Sequence, residues 1–132
     1  WKGTIKSGTS DALVSQMDLP ASFAAFTGQK NTTDDSENVI DALLGKSDKG
    51  RESLILGRNN GISIRQGDWI LIPPHKGPKS TGKFTNIETG RDTIYQLYNV
   101  KEDIGQQVNI ADKHPEKVKE LEAEMNKVKT KK

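Results

Sequence analysis

The residues best suited to chemistry are few and scattered. His75 and His114 lie in separate segments, and His114 directly precedes Pro115, so neither has a partner at metal-ligand spacing. Both read as surface histidines. Asp34 and Asp35 form an adjacent carboxylate pair, but they stand just before Ser36, where acids favour the positive end of a helix. They read as capping acids. Gly57, Gly61 and Gly67 punctuate strand-like sequence and read as hairpin turns, since a phosphate cradle needs a helix immediately after its glycines. Met17 and Met125 fall on apolar positions and are read as core. The chain has no Cys, which removes disulfides, thiolate zinc sites and a cysteine nucleophile together.

One segment is richer. Residues 75–92 carry His75, Lys76, Lys79, Lys83 and Arg91 against Glu88 and Asp92, with no strand or helix period. A loop of more than about 12 to 15 residues without structure is often functional, and this one can meet an anion. A solvated hairpin extension is the competing account, because lysine-rich loops are common on protein surfaces.

The elements that must position these residues are legible from periodicity. Leu19, Phe23 and Phe26 are spaced i, i+4, i+7, with Asp18 as N-cap, Pro20 in the first turn and Gly28 as the left-handed stop, which predicts a helix. Residues 29–35 are polar and read as a linker. Ser36 is the expected N-cap of a second helix, with Glu37 and Asp41 near its N-terminus and Val39, Ile40, Leu43 and Leu44 as its buried stripe. From Ser53 the period changes to two. Residues 54–56, 62–65 and 69–72 read as a three-strand meander turned at Asn60-Gly61 and at Gln66-Gly67-Asp68, and residues 94–98 supply a fourth strand. Pro115 opens a last helix, whose Val118, Leu121, Met125 and Val128 should cover one face of the sheet. The expected fold class is α+β: a small four-stranded antiparallel sheet packed by a C-terminal helix and preceded by helices.

Composition sets the outer limits. The 132 residues allow one domain, or one domain and part of another, and bury roughly two thirds of the unfolded surface. No apolar run approaches the roughly 18 residues of a membrane span, so no membrane partner is expected. Lys127, Lys129, Lys131 and Lys132 form a tail without acids; removing these four from the net charge of +2 leaves −2. The body therefore lacks the basic face of a nucleic-acid binder. The chain begins at Trp1 with no basic leader or apolar stretch, and this terminus reads as a cut.

Several segments, taken in order, resemble the C-terminal end of the arylsulfatase-type sulfatases of the alkaline-phosphatase-like superfamily. Trp1-Lys2-Gly3-Thr4-Ile5-Lys6-Ser7-Gly8 resembles the stretch just past the catalytic half, and Val14-Ser15-Gln16-Met17-Asp18-Leu19 resembles the approach to the next helix. Ile64-Arg65-Gln66-Gly67-Asp68-Trp69-Ile70-Leu71-Ile72 is similar to the family's Arg-x-Gly-Asp-Trp-Lys-Leu-Ile strand pair. Leu97-Tyr98-Asn99-Val100-Lys101-Glu102-Asp103, with Asn109-Ile110-Ala111, is similar to its closing Leu-Tyr-Asp-Leu to Asn-Leu-Ala motif. The likeness extends over nearly the whole chain. Departures fall at Ala21-Ser22, where Pro-Thr is usual, at Ile70 for Lys, and at Ile104 and Gln106 for the Pro and Glu of the closing turn.

The resemblance implies a parent that hydrolyses sulfate esters with a formylglycine nucleophile, made from Cys or Ser in a Cys/Ser-x-Pro-x-Arg motif, beside calcium. The residues two before the five prolines are Asp18, Leu71, Ile72, Lys76 and Lys113, so that motif does not occur here. Calcium and formylglycine are therefore expected in the parent and not in this chain, which is not catalytic alone. Residues 1–33 would be the tail end of the catalytic α/β domain and residues 34–132 the C-terminal subdomain. The implied partners are the N-terminal catalytic domain and its sulfate-ester substrate, in a periplasmic or extracellular setting. His75, Lys76 and Lys79 are the candidate substrate-binding residues. The alternatives are a subdomain that only buttresses, and an autonomous module that binds sulfated glycan or another polyanion through residues 75–92. A helix bearing Leu19, Phe23 and Phe26 without its usual cover would favour self-association, or disorder of residues 1–33.

Overall fold

A computed structural model describes residues 1–58, 61–82 and 87–129. The expected turn at Asn60, the side chain of Lys83, the side chain of Val128 and the last lysines lie outside the described residues. The chain divides into two compact units, Trp1–Leu54 and Ile55–Lys132.

In the first unit a short 3-10 helix, Gln16–Asp18, runs directly into α1, Leu19–Thr27. Pro20 sits in the first turn of α1, and Gly28 ends it in the left-handed conformation, φ 69°, as the sequence predicts. The buried face differs from expectation. Ala21 and Ser22 are buried, whereas Phe23 and Phe26 are 55% and 51% exposed on an ordered helix. Small residues face inward because the chain that follows is tied closely to α1: Ala21 N–H donates to Ser36 Oγ (2.9 Å), and Val39 N–H donates to Ser22 Oγ (3.0 Å). Ser36 is thus spent on α1, and the second helix, α2, is only the single turn Ile40–Leu43. Asp34 and Asp35 lie in a turn ahead of it and cap no helix; the Asp35 carbonyl instead accepts a hydrogen bond from Arg51.

The second unit contains the four-stranded sheet, with strand order β1-β2-β3-β6. The strands are β1 (Ser53–Arg58, starting at the boundary), β2 (Gly61–Gln66), β3 (Trp69–Ile72) and β6 (Gln96–Asn99). Gly57 lies inside β1 and not in a turn, whereas Gly67 does turn the chain with φ 55°. The β2–β3 and β3–β6 pairs are antiparallel, and their register sets Ile64 opposite Leu71 and Leu71 opposite Leu97. That row of three fully buried side chains is the centre of the core. The last helix, α3 (Pro115–Lys129), covers the row with Leu121 and Met125, and Val118 packs against the same cluster. Tyr95 Oη donates to Glu122 Oε1 on α3; this bond and burial push the Tyr95 phenol up from its ordinary pKa.

The outer edge of β6 is covered by a single side chain. Asn109 Oδ1 accepts from the N–H groups of Leu97 and Ala111, both at 3.0 Å, while its Nδ2 donates to the Tyr95 carbonyl (2.9 Å). Ile110 N–H completes the edge on the Leu97 carbonyl (3.0 Å). An edge strand otherwise presents unpaired backbone groups, so the closing Asn-Ile-Ala segment has a structural task.

Candidate functional site

Residues 75–92 are not a structureless loop. Pro73 and Pro74 end β3, since neither can donate to a ladder. The chain then forms a narrow β-ribbon from β4 (Ser80–Thr81) and β5 (Ile87–Glu88), with Ser80 opposite Glu88 and Thr81 opposite Ile87. Below these pairs, Thr89 N–H donates to the Lys79 carbonyl (2.9 Å) and Thr89 Oγ1 donates to the Pro78 carbonyl (2.7 Å). His75 N–H donates to the Asp92 carbonyl (2.6 Å), which closes the base.

The ribbon base is fixed to the face of the sheet opposite α3. Gln96, 7% exposed, donates from Nε2 to the Gly90 carbonyl (2.8 Å) and accepts from Tyr98 Oη (3.0 Å). Gly77 adopts φ 145°, and the Arg91 side chain crosses it so closely that a Cβ there would lie 2.7 Å from Arg91 Cδ. Only glycine admits both that backbone and that neighbour.

The structure brings together two of the three candidate residues. Lys79 Nζ meets Asp92 Oδ2 at 2.8 Å, and the same Asp92 holds His75 through its backbone. The hydrogen bond to Asp92 and its charge raise the Lys79 pKa. Asp92 is held below its ordinary value by Lys79 and by the Thr93 N–H on its other oxygen (2.7 Å). His75 is half-buried, and its Nδ1 is shielded from solvent with no hydrogen-bond partner among the described residues. Lys76 is exposed beside this group. Asp92, the residue that organises the cluster, was visible in the sequence only as one acid among several bases; two-residue strands leave no period to show which acid comes to which base.

Two other polar groups singled out by type have structural partners. Buried Asp18 accepts from Arg51 Nε, Ser15 N–H and Glu37 N–H. His114 is exposed and meets the Trp69 ring edge-on, centroids 5.4 Å apart, while Lys117 Nζ lies 5.9 Å from the same ring. Among the described residues no group of three or more His, Cys, Asp or Glu side chains could hold a metal ion. The described residues thus do not fit a calcium site, and with no Cys and no Ser-x-Pro the sequence does not fit a formylglycine precursor. Among the described residues no helix is long and apolar enough to cross a membrane.

No family model matches the chain. Over 98% of its length it is 35% identical to an N-acetylgalactosamine-6-O-sulfatase of Bacteroides thetaiotaomicron, of which it spans 26%. A structure solved in work on the metabolism of multiple glycosaminoglycans by Bacteroides thetaiotaomicron superposes with a TM-score of 0.90 at 36% identity, covering 99% of this chain and 28% of that one. Crystal structures of Ps i-CgsB, one of them in complex with k-i-k-neocarrahexaose, share the fold, with TM-score 0.66 and 19% identity over 96% of this chain and 27% of theirs. The chain therefore corresponds to about a quarter of a much longer sulfatase, and its resemblance to the C-terminal portion of that type of enzyme holds over its full length.

Proposed function

We propose that this chain serves as the C-terminal subdomain of a sulfuric ester hydrolase, buttressing the catalytic domain and bringing the ribbon base to the rim of the substrate pocket. The observation that carries the reading is the end-to-end likeness to one quarter of a sulfatase, at 35% identity. Calcium, the formylglycine nucleophile and the chemical step belong in this proposal to the other three quarters. A sulfate ester needs an activated nucleophile in line with its leaving oxygen and positive charge on the developing anion. The contribution of this chain is to position the glycan, through His75, Lys76 and Lys79, in a periplasmic or extracellular enzyme. The proposed substrate is a glycosaminoglycan carrying N-acetylgalactosamine 6-O-sulfate, following the relative's own specificity.

The proposed docking face is that of α1. Trp1 packs edge-on against Phe26 with centroids 5.9 Å apart, and Met17, Phe23 and Phe26 are about half exposed around it. Covering each such side chain is worth roughly 1.5–3 kcal/mol, ample to hold a subdomain against its larger neighbour.

A chimera tests both parts. The matching quarter of the Bacteroides enzyme is replaced by this chain, and hydrolysis of a 6-sulfated N-acetylgalactosamine disaccharide is measured. The expected result is a folded, active chimera in which Lys79→Ala raises KM several-fold with little change in kcat. An inactive but folded chimera overturns the subdomain reading. Unchanged KM in Lys76→Ala and Lys79→Ala leaves buttressing and removes the ribbon from the pocket. The 132-residue chain alone, with calcium, is expected to give no turnover of an aryl sulfate above a buffer blank.

A further inference from the structure

We infer that His75 meets a glycan oxygen as a one-sided hydrogen-bond donor, with its ring proton on Nε2 and its Nδ1 turned away from any ligand. This rests on the reading of the ribbon base as a glycan-contacting surface. The geometry is the asymmetry of the ring: Nδ1 is shielded from solvent with no hydrogen-bond partner among the described residues, whereas Nε2 is neither shielded nor bonded. Only Nε2 can reach a ligand. The ring is half-buried, and the backbone from which it projects is held by the His75 N–H on the Asp92 carbonyl at 2.6 Å.

A neutral imidazole carries one proton, and its other nitrogen can only accept. On Nδ1 of His75 that proton would be a shielded N–H with no acceptor, the kind of orphan that folded chains rarely keep. On Nε2 it meets water or ligand instead. The tautomer with Nε2–H is therefore the one the site favours, and it decides what the ring can recognise. A sulfate oxygen, a carboxylate oxygen and an N-acetyl carbonyl all accept such a donor, whereas a lone pair at the same place would need a hydroxyl or amide N–H. The shared chemistry is an oxygen acceptor. Exposed Lys76 adds charge that acts over a distance, and the Nε2–H adds direction.

The test has two readouts on the 132-residue chain. The first needs no ligand: long-range proton–nitrogen correlation NMR at about pH 8.5, roughly two units above the ordinary imidazole value, shows which ring nitrogen carries the proton. His75→Gln assigns the signals, and His114, which is exposed, is the internal reference. Nδ1 of His75 is expected to be unprotonated, more completely than that of His114. The second readout is calorimetric titration at low salt with chondroitin 6-sulfate and with unsulfated chondroitin. His75→Gln places an amide nitrogen where Nε2 lies, and His75→Asn places one where Nδ1 lies. Neither loses a ring hydrogen bond within the chain, so Tm should not change. The expected result is that His75→Gln keeps most of the affinity while His75→Asn loses about two- to tenfold. A loss confined to the sulfated polymer identifies a sulfate oxygen as the acceptor, and a loss on both identifies a carboxylate or carbonyl oxygen. A protonated Nδ1, or equal affinities of the two variants, overturns the inference. If Lys79→Ala weakens binding while His75→Asn changes nothing, the inference fails and the glycan-contact reading stands. If neither substitution alters binding, both fall.

Discussion

Arg51 donates through Nε to both carboxylate oxygens of Asp18, at 2.8 and 3.0 Å, although 33 residues separate them. Asp18 is fully buried, and its remaining capacity is taken by Ser15 N–H (2.9 Å) and Glu37 N–H (3.1 Å). This one carboxylate ties the start of α1, the segment before α2 and the chain entering β1 into a single unit.

Removing that charge should be costly. Asp18→Asn leaves the Arg51 guanidinium, itself largely buried, with only the exposed Glu37 carboxylate at 3.5 Å as counter-ion, and is expected to lower stability by roughly 3 kcal/mol, read by urea unfolding. Burial raises the Asp18 pKa, but the Glu37 N–H, Arg51 and the Ser15 N–H outweigh it and the value is lowered. A lowered folded pKa contributes stability that is complete above the unfolded value, near about 3.9, and is lost as pH falls through the folded value. The gap between wild type and Asp18→Asn should therefore be constant from neutral pH to about 4 and shrink below it. A gap that does not change on further acidification contradicts the assignment.

Gly50 and Gly57 should respond in opposite ways to alanine. A Cβ on Gly50 would lie 2.2 Å from the Leu13 carbonyl oxygen and 2.8 Å from both Leu13 C and N, so backbone must move and the Arg51 N–H to Leu13 O bond (2.7 Å) is strained. Gly50→Ala is expected to cost about 2–3 kcal/mol. A Cβ on Gly57 meets nothing within 4 Å, and Gly57→Ala should be neutral or stabilising by up to about 1 kcal/mol. Chemical denaturation of the two variants side by side decides.

Asn109→Ala should uncover the edge of β6. Three hydrogen bonds at about 1 kcal/mol each put the loss at roughly 2–3 kcal/mol. Asn109→Asp keeps the accepting oxygen and should recover part of it. Hydrogen exchange at the Leu97 amide is the sharpest readout; unaltered protection in Asn109→Ala would rule out the capping role.

The exposed Phe23 and Phe26 should drive the isolated chain to self-associate, because both stay about half exposed even with Trp1 packed edge-on against Phe26. Light scattering is expected to show a concentration-dependent increase in mass that Phe23→Ser/Phe26→Ser abolishes. A strictly monomeric wild type at high concentration removes this expectation.

The β2–β3 pair and α3 were legible in the sequence because their burial follows the local period: Ile64 and Leu71 alternate with less buried neighbours, and Leu121 and Met125 recur on one helical face. The misread features depend on distant partners. Asp18 and Ser36 have the types and positions of N-caps, and only the approach of Arg51 to one and of Ala21 to the other shows that their oxygens are spent elsewhere. On α1 the apolar spacing marked the face now exposed, since spacing identifies a stripe without saying what covers it. In the ribbon, pairs of two residues are too short for any alternation, so Lys79 and Asp92 met only in three dimensions.

Gln96 has a consequence for how such a chain can change over evolutionary time. It joins the ribbon base to β6 from the face opposite the Ile64–Leu71–Leu97 row, so the ribbon and the packed core share a strand but no side chains. Substitutions among residues 75–92 leave the α3 side unperturbed, and repacking beneath α3 leaves the Gly90 attachment in place. Selection can therefore alter what the ribbon contacts without spending the stability of the scaffold, a modularity that rests on one buried amide.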